Sequence, residues 1–211
     1  MPTLIATPDN SISALVIFSK PRRTILLAGF CAFQTALPGQ RIQGPPDNDR
    51  LLKSVMAVLP GAQTVEPSAF RLTQGEKETL RKASGLTSTP DSLLLLVAAG
   101  SDTLMGFAVR DDVRGKDQLI TYLLVVSPDL QVRGLEILAY RESFGGEVRN
   151  ETWRDQFKGK SGADPLRPGR DISNITGATI SARAVTLGVK RLLLLLEVLR
   201  PRLPKRRAAL R

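Results

Sequence analysis

Two apolar runs, QLITYLLVV (118–126) and QVRGLEILAY (131–140), are separated only by Ser127-Pro128-Asp129-Leu130. The runs are rich in aliphatic and β-branched residues, and a Ser-Pro-Asp connection is turn chemistry. The pair therefore reads as an antiparallel hairpin. Two more strand-like runs precede it, SLLLLVA from Ser92 and LMGFAVRD from Leu104. The helices that flank such a sheet are also legible. Leu52, Val55, Met56 and Leu59 share one helical face, which stops at Pro60-Gly61. Thr73-x-x-Glu76 is a capping-box pattern whose helix stops at Gly85. NETWRDQF reads as a short helix with Trp153 and Phe157 on one side. Val185, Val189, Leu192, Leu193, Leu196 and Leu199 recur at helical spacing until Pro201. The RLLLLLEVLR end of that helix is too short to span a bilayer, so it is either core or partly laid on a membrane. Together these make one α+β domain: a twisted, mainly antiparallel sheet flanked by helices and closed by a C-terminal helix.

The expected boundaries are 1–39 for an export signal or membrane anchor, 40–47 for a Pro/Gly/Asp-rich linker, 48–199 for the domain and 200–211 for a basic tail. The first segment has Lys20, Arg22 and Arg23 ahead of an apolar run, Thr24 to Leu37. That order is the order of a secretory signal, and the adjacent arginines resemble a twin-arginine export signal. The expectation is a domain in the periplasm or on the outer face of the cytoplasmic membrane, exported or anchored at its N-terminus. The net charge of +10 sits mostly at the ends: Lys190 to Arg211 hold eight Lys or Arg against one acid, Glu197. The body between is near neutral, which argues against a nucleic-acid-binding face. The tail is either a solvated end or a contact for anionic lipid.

The 211 residues include no histidine and a single cysteine, Cys31. A haem with a histidine ligand, a His-rich zinc site, a Ser-His-Asp triad, an internal disulfide and an iron–sulfur cluster are all excluded. Redox chemistry here would need an organic cofactor. No metal-ligand set and no acid–base pair stand out.

Two short segments attract a functional reading. Thr176-Gly177-Ala178-Thr179 runs straight into the last helical pattern. It is either a polar helix start or a hydroxyl held out for chemistry. Glu142-Ser143-Phe144-Gly145-Gly146 follows a strand, and paired glycines there mean a sharp turn or close approach to a flat ligand. Taken together, the two segments resemble the FMN-binding domain of Na+-translocating NADH:quinone reductase, Rnf-type electron-transport complexes and nitrous-oxide-reductase regulators. VLPGA at 58–62 and GKDQLITYLLVV at 115–126 resemble that family's early segment and central strand.

The resemblance implies FMN joined by a phosphodiester to Thr179. It implies a Mg2+-dependent flavin transferase, with FAD as donor, as a partner. Thr176, Gly177 and Ala178 would form the acceptor segment, and Glu142, Ser143, Gly145 and Gly146 the loop beside the ring. Tyr140, Tyr122 and Phe144 are then the aromatic neighbours to consider. The function implied is an electron-transfer flavoprotein relaying electrons between membrane-associated redox partners, a carrier more than a stand-alone enzyme. A non-flavinylated binding or assembly module of the same fold is the alternative. Two departures stand out: Ser173 occupies the place of an acid usual in the family, with Asp171 two residues further back, and Ser143-Phe144 replace Thr-Pro.

Overall fold

The first strand of the expected hairpin is buried on both faces, and this fixes the rest of the architecture. In the computed structural model, which describes residues 48–85 and 89–205, that strand is β4 (Leu119–Val126). Earlier elements are α1 (Asn48–Val58), β1 (Thr64–Arg71), α2 (Gln74–Ser84), β2 (Ser92–Ala99) and β3 (Leu104–Arg114). Later ones are β5 (Val132–Tyr140), α3 (Glu151–Asp155) and α4 (Thr179–Leu199). The export signal or anchor and the linker expected before residue 48 lie outside the described residues.

All five strands form one antiparallel sheet in the order β1-β2-β3-β4-β5. The β4–β5 register runs from Ile120 opposite Tyr140 to Val126 opposite Val132. The turn between them is tied by Ser127 N–H donating to Gln131 O at 2.8 Å. β1 has no clear sequence signal, because Pro67 sits in its middle. It is an edge strand, where a missing N–H on the outer side costs no ladder bond.

Alternating residues of β2–β4 face opposite layers. Val97, Phe107, Val109, Tyr122 and Leu124 pack with Val185, Val189, Leu193 and Leu196 of α4 and Leu80 of α2. Ala98, Ala108, Leu123 and Val125 pack with Val55 and Leu59 of α1. The Leu-rich end of α4 is therefore core: Leu192, Leu193, Leu195, Leu196 and Leu199 are all buried. Each such leucine contributes roughly 1.5–3 kcal/mol relative to exposure. No helix among the described residues is long and apolar enough to cross a membrane. Trp153 and Phe157 meet edge to face, ring centroids 5.2 Å apart.

The capping box at Thr73 forms, with Glu76 N–H on Thr73 Oγ1 at 3.2 Å and Thr73 N–H on Glu76 Oε2 at 2.7 Å. Glu76 also receives Arg202 at 2.9 Å, and Arg202 lies over the Phe70 ring at 5.6 Å. Arg200 binds Glu197 at 2.7 Å and Asp129 O at 3.1 Å, and Leu203 is buried. Two of the arginines expected in a free tail from residue 200 are thus held on the body.

Candidate functional site

The acceptor segment is built by backbone conformation. Gly177 has φ +83°, and a Cβ there would touch nothing within 4 Å, so glycine is required by the left-handed turn and not by space. After that turn Ala178 caps α4, and Thr179 is its first residue. The helix therefore begins on the last residue of the TGAT segment itself. Ala178 offers no side-chain acceptor, so the first N–H groups of α4 have no side-chain cap. Thr179 is exposed, its hydroxyl donating to Ile175 O at 3.3 Å. Thr176 is exposed beside it.

The loop after β5 is pinned on both sides. Glu142 Oε1 accepts the N–H groups of Asp117 at 2.9 Å and Gln118 at 3.0 Å, from the β3–β4 turn. Gly115 makes room for that carboxylate, since a Cβ there would lie 2.3 Å from Oε1. The Gln118 N–H, aided by that of Asp117, holds the Glu142 carboxyl below the ordinary carboxylate value. Glu142 is therefore a brace between two turns.

Gly145 has φ +85°, and its Cβ would lie 2.6 Å from Tyr140 Oη and 3.1 Å from Ala178 Cβ. The two sequence segments meet at this contact. Tyr140 Oη donates to Phe144 O and stands 3.0 Å from Ser181 Oγ, which ties the loop to the first turn of α4. Gly146 opens a short 3-10 turn and faces the Arg149 guanidinium.

The result is a cleft of about 320 Å³ with three walls. Lys116 and Asp117 come from the β3–β4 turn, Glu142, Ser143 and Phe144 from the loop, and Gly177 to Ser181 from the start of α4. Six residues singled out in the sequence line it: Glu142, Ser143, Phe144, Gly177, Ala178 and Thr179. Gly145 supports it from behind, while Thr176 and Gly146 do not line it. Lys116, Asp117, Ile180 and Ser181 join it without having been singled out. Their only sequence signal is the Gly-Lys-Asp-Gln turn ahead of β4 and the adjacency of Ile180 and Ser181 to TGAT.

Tyr122 is corrected as a neighbour of any ligand here. It is fully buried under α4, donating to Asp111 Oδ2 at 2.7 Å, and Arg191 donates to the same oxygen at 2.5 Å. Burial first, and the Asp111 charge second, push its phenol well above the ordinary value. Asp171 is also engaged. It accepts the N–H groups of Leu166 at 2.7 Å and Arg167 at 2.5 Å. Burial pushes its carboxyl up, but these and other backbone hydrogen bonds outweigh it and leave it below the ordinary value. Ser173 is exposed, with its backbone held by Gln156 at 2.9 Å and by the Trp153 indole at 2.8 Å.

Residues 115–194 match the sequence profile of the FMN-binding domain. This part of the chain belongs to the FMN-binding domain family. The matched segment runs from the β3–β4 turn to near the end of α4, and so contains every wall of the cleft. Over 99 residues the chain is 35% identical to a subunit of the proton-translocating ferredoxin:NAD(+) oxidoreductase complex of Clostridium ljungdahlii, covering 43% of this chain and 52% of that protein. Over 122 residues it is 27% identical to a subunit of the Na(+)-translocating ferredoxin:NAD(+) oxidoreductase complex of Acetobacterium woodii, covering 53% and 59%. The chain thus spans between half and three fifths of these relatives. The crystal structure of Shewanella oneidensis NqrC superposes with a TM-score of 0.51 at 16% identity, over 73% of this chain and 96% of that one, a likeness of fold.

The residues present fit a flavin mononucleotide. An exposed hydroxyl stands on an uncapped helix start, where N–H groups and the helix dipole favour a phosphate. Lys116 adds a cation, and exposed Phe144 and Ile180 add apolar surface in the same cleft.

Proposed function

We propose that this protein is an electron-transfer flavoprotein that carries FMN through a phosphodiester on Thr179 and relays electrons between membrane-associated redox partners. The single observation that supports this most is the meeting of Thr179 and the Glu142–Gly146 loop around one cleft, inside the family-matched segment. Bound FMN supplies one- and two-electron redox chemistry that no side chain here offers. The chain's own groups hold and orient it. Thr179 gives the attachment oxygen, the free N–H groups of the first turn of α4 and Lys116 balance the phosphate charge, and Glu142 keeps the Lys116 turn in place. In the attachment step the Thr179 Oγ–phosphorus bond forms and the P–O–P anhydride of FAD breaks. AMP leaves, and the hydroxyl proton passes to solvent or a base of the transferase. A covalent link suits a protein exported to the periplasm or to the outer face of the cytoplasmic membrane, where a dissociated cofactor is lost. The relatives' names, as components of ferredoxin:NAD(+) oxidoreductase complexes, support membrane redox partners.

The test is co-expression with a flavin transferase, followed by denaturing electrophoresis. Flavin fluorescence that stays with wild-type protein and is missing from Thr179→Ala is the expected result. One observation favours the alternative, a non-flavinylated assembly module. The position of Ser173 lacks a carboxylate, and Asp171 is committed to its own loop. Absence of fluorescence from both proteins would select that alternative.

A further inference from the structure

Ser173 is exposed, yet both of its backbone groups are taken by side chains. Its carbonyl accepts the Trp153 indole N–H at 2.8 Å, and its N–H donates to Gln156 Oε1 at 2.9 Å. Water would satisfy an exposed backbone without ordering two side chains, so the arrangement fixes a position. The two side chains are themselves fixed. Trp153 is buried edge to face against Phe157, and Gln156 Nε2 donates to Trp153 O at 3.2 Å. Between them Arg154 donates to Leu135 O at 2.6 Å and pairs with Glu136, which ties α3 to β5. Position is thus passed from the sheet through α3 to Ser173. The other end of the same segment is pinned as well. Ala178 N–H donates to Ile175 O at 3.0 Å, and Ala178 packs at Gly145. Between the pins Ile172 and Ala178 are buried and Ile175 is half-buried, while Ser173, Asn174, Thr176, Gly177 and Thr179 are exposed.

We infer that Trp153 and Gln156 are positioning residues for flavinylation: through the Ser173 backbone they hold the acceptor segment in the shape that the flavin transferase receives. The inference rests on the reading that Thr179 carries FMN. Asp171 is the only acid from 171 to 179, and its carboxylate is turned to the Leu166 and Arg167 N–H groups. The exposed face from Ser173 to Thr179 therefore offers a partner no charge, only backbone groups, hydroxyls, an amide and its shape. A segment read by shape binds more tightly when its ordering is complete before the encounter, because the partner does not have to supply that ordering. Neither Trp153 nor Gln156 touches the attachment hydroxyl, which donates to Ile175 O. Their removal should weaken docking and spare the chemical step.

The experiment uses flavin-free full-length protein as the substrate of a purified flavin transferase with FAD and Mg2+. Covalent flavin is followed over time at a series of protein concentrations. Trp153→Phe keeps a ring against Phe157 and loses the N–H donor. Gln156→Met keeps the length and loses the acceptor, whereas Gln156→Glu keeps an accepting oxygen. Each of the first two should raise KM about threefold to tenfold, the size of one lost hydrogen bond. Their kcat should stay within about twofold of wild type, as expected for lost ground-state binding. Gln156→Glu should stay close to wild type in both constants. Leu80→Ala, a core substitution in α2, which lines no wall of the cleft, should lower the melting temperature and leave KM unchanged. KM unchanged in Trp153→Phe and Gln156→Met, with wild type flavinylated, would overturn the positioning role and leave the attachment reading intact. A KM that rises as much in Leu80→Ala as in those two would also overturn it, since lost stability alone would then account for the effect. No flavin on wild type would overturn the attachment reading and the positioning role with it.

Discussion

Gly145 is the point at which the two site segments touch, and substituting it by alanine measures what that contact does. At φ +85° a side chain adds about 1–2 kcal/mol of backbone strain. The new Cβ would also stand 2.6 Å from Tyr140 Oη and 3.1 Å from Ala178 Cβ. Relief requires moving the Tyr140 hydroxyl off Phe144 O and Ser181, and each lost hydrogen bond costs about 0.5–1.5 kcal/mol. The total is about 3 kcal/mol. Gly177 is the matched control: it has φ +83° but open space around its Cβ, so Gly177→Ala carries the strain alone, about 1–2 kcal/mol. For a domain of this size 1 kcal/mol is roughly 2–4 °C of melting temperature. Thermal unfolding should therefore place Gly145→Ala well below Gly177→Ala, and both below wild type. Tyr140→Phe deletes the oxygen that the new Cβ meets, so it should cost less in the Gly145→Ala background than in wild type. Equal losses for the two glycine variants, or strict additivity with Tyr140→Phe, would refute the contact as drawn.

Other outcomes follow from the same geometry. Glu142 is held below its ordinary value of 4.5 by backbone N–H groups, so its brace contributes stability above that pH and loses it as pH falls through the lower folded value. The stability gap between wild type and Glu142→Gln in urea melts should be largest near neutrality and shrink in acid; a gap that widens in acid would contradict the brace. Ser173→Asp should raise the flavinylated fraction when transferase is limiting, because the exposed side chain then supplies the family's usual acid on an unchanged backbone. A time course with no increase would show that this acid is not read. Truncation after Arg200 should lower the melting temperature by several degrees, since it removes buried Leu203 and the Arg202–Glu76 contact. Truncation after Lys205 should not, and it isolates the remaining tail: weaker co-sedimentation with anionic vesicles at low salt is expected, and equal binding would leave that tail a solvated end.

The sheet was legible where local chemistry and tertiary fate agree. The β4–β5 hairpin, the Thr73 capping box and the Trp153–Phe157 pair all formed as the residues suggest. β1 escaped because Pro67 speaks against a strand unless the strand is known to lie at an edge, which is a property of the sheet and not of the segment. Tyr122 was misplaced as a ligand neighbour because β4 is apolar throughout, and nothing in LITYLLVV tells which face a long helix will cover. In the site, the TGAT turn and the glycine loop carried their own signals, left-handed backbone above all. Lys116, Asp117 and Ser181 carried only a turn signal and their adjacency to TGAT, neither of which points to a site. They reach the cleft only because Glu142 folds the β3–β4 turn onto the loop and Tyr140 draws in the start of α4. The start of α4 carried no sharp signal, because Ala178 caps it without a side chain that announces a cap.

The central claim is that Thr179 carries the flavin, and one measurement addresses it directly. Trypsin cleavage after Arg170 and Arg183 releases Asp171–Arg183, a single peptide that holds Ser173, Thr176, Thr179 and Ser181. Fragmentation mass spectrometry of that peptide, from protein made with a flavin transferase, distinguishes the four hydroxyls. One FMN phosphodiester, on Thr179, is the expected result. An unmodified peptide, or FMN on any of the other three, would contradict it.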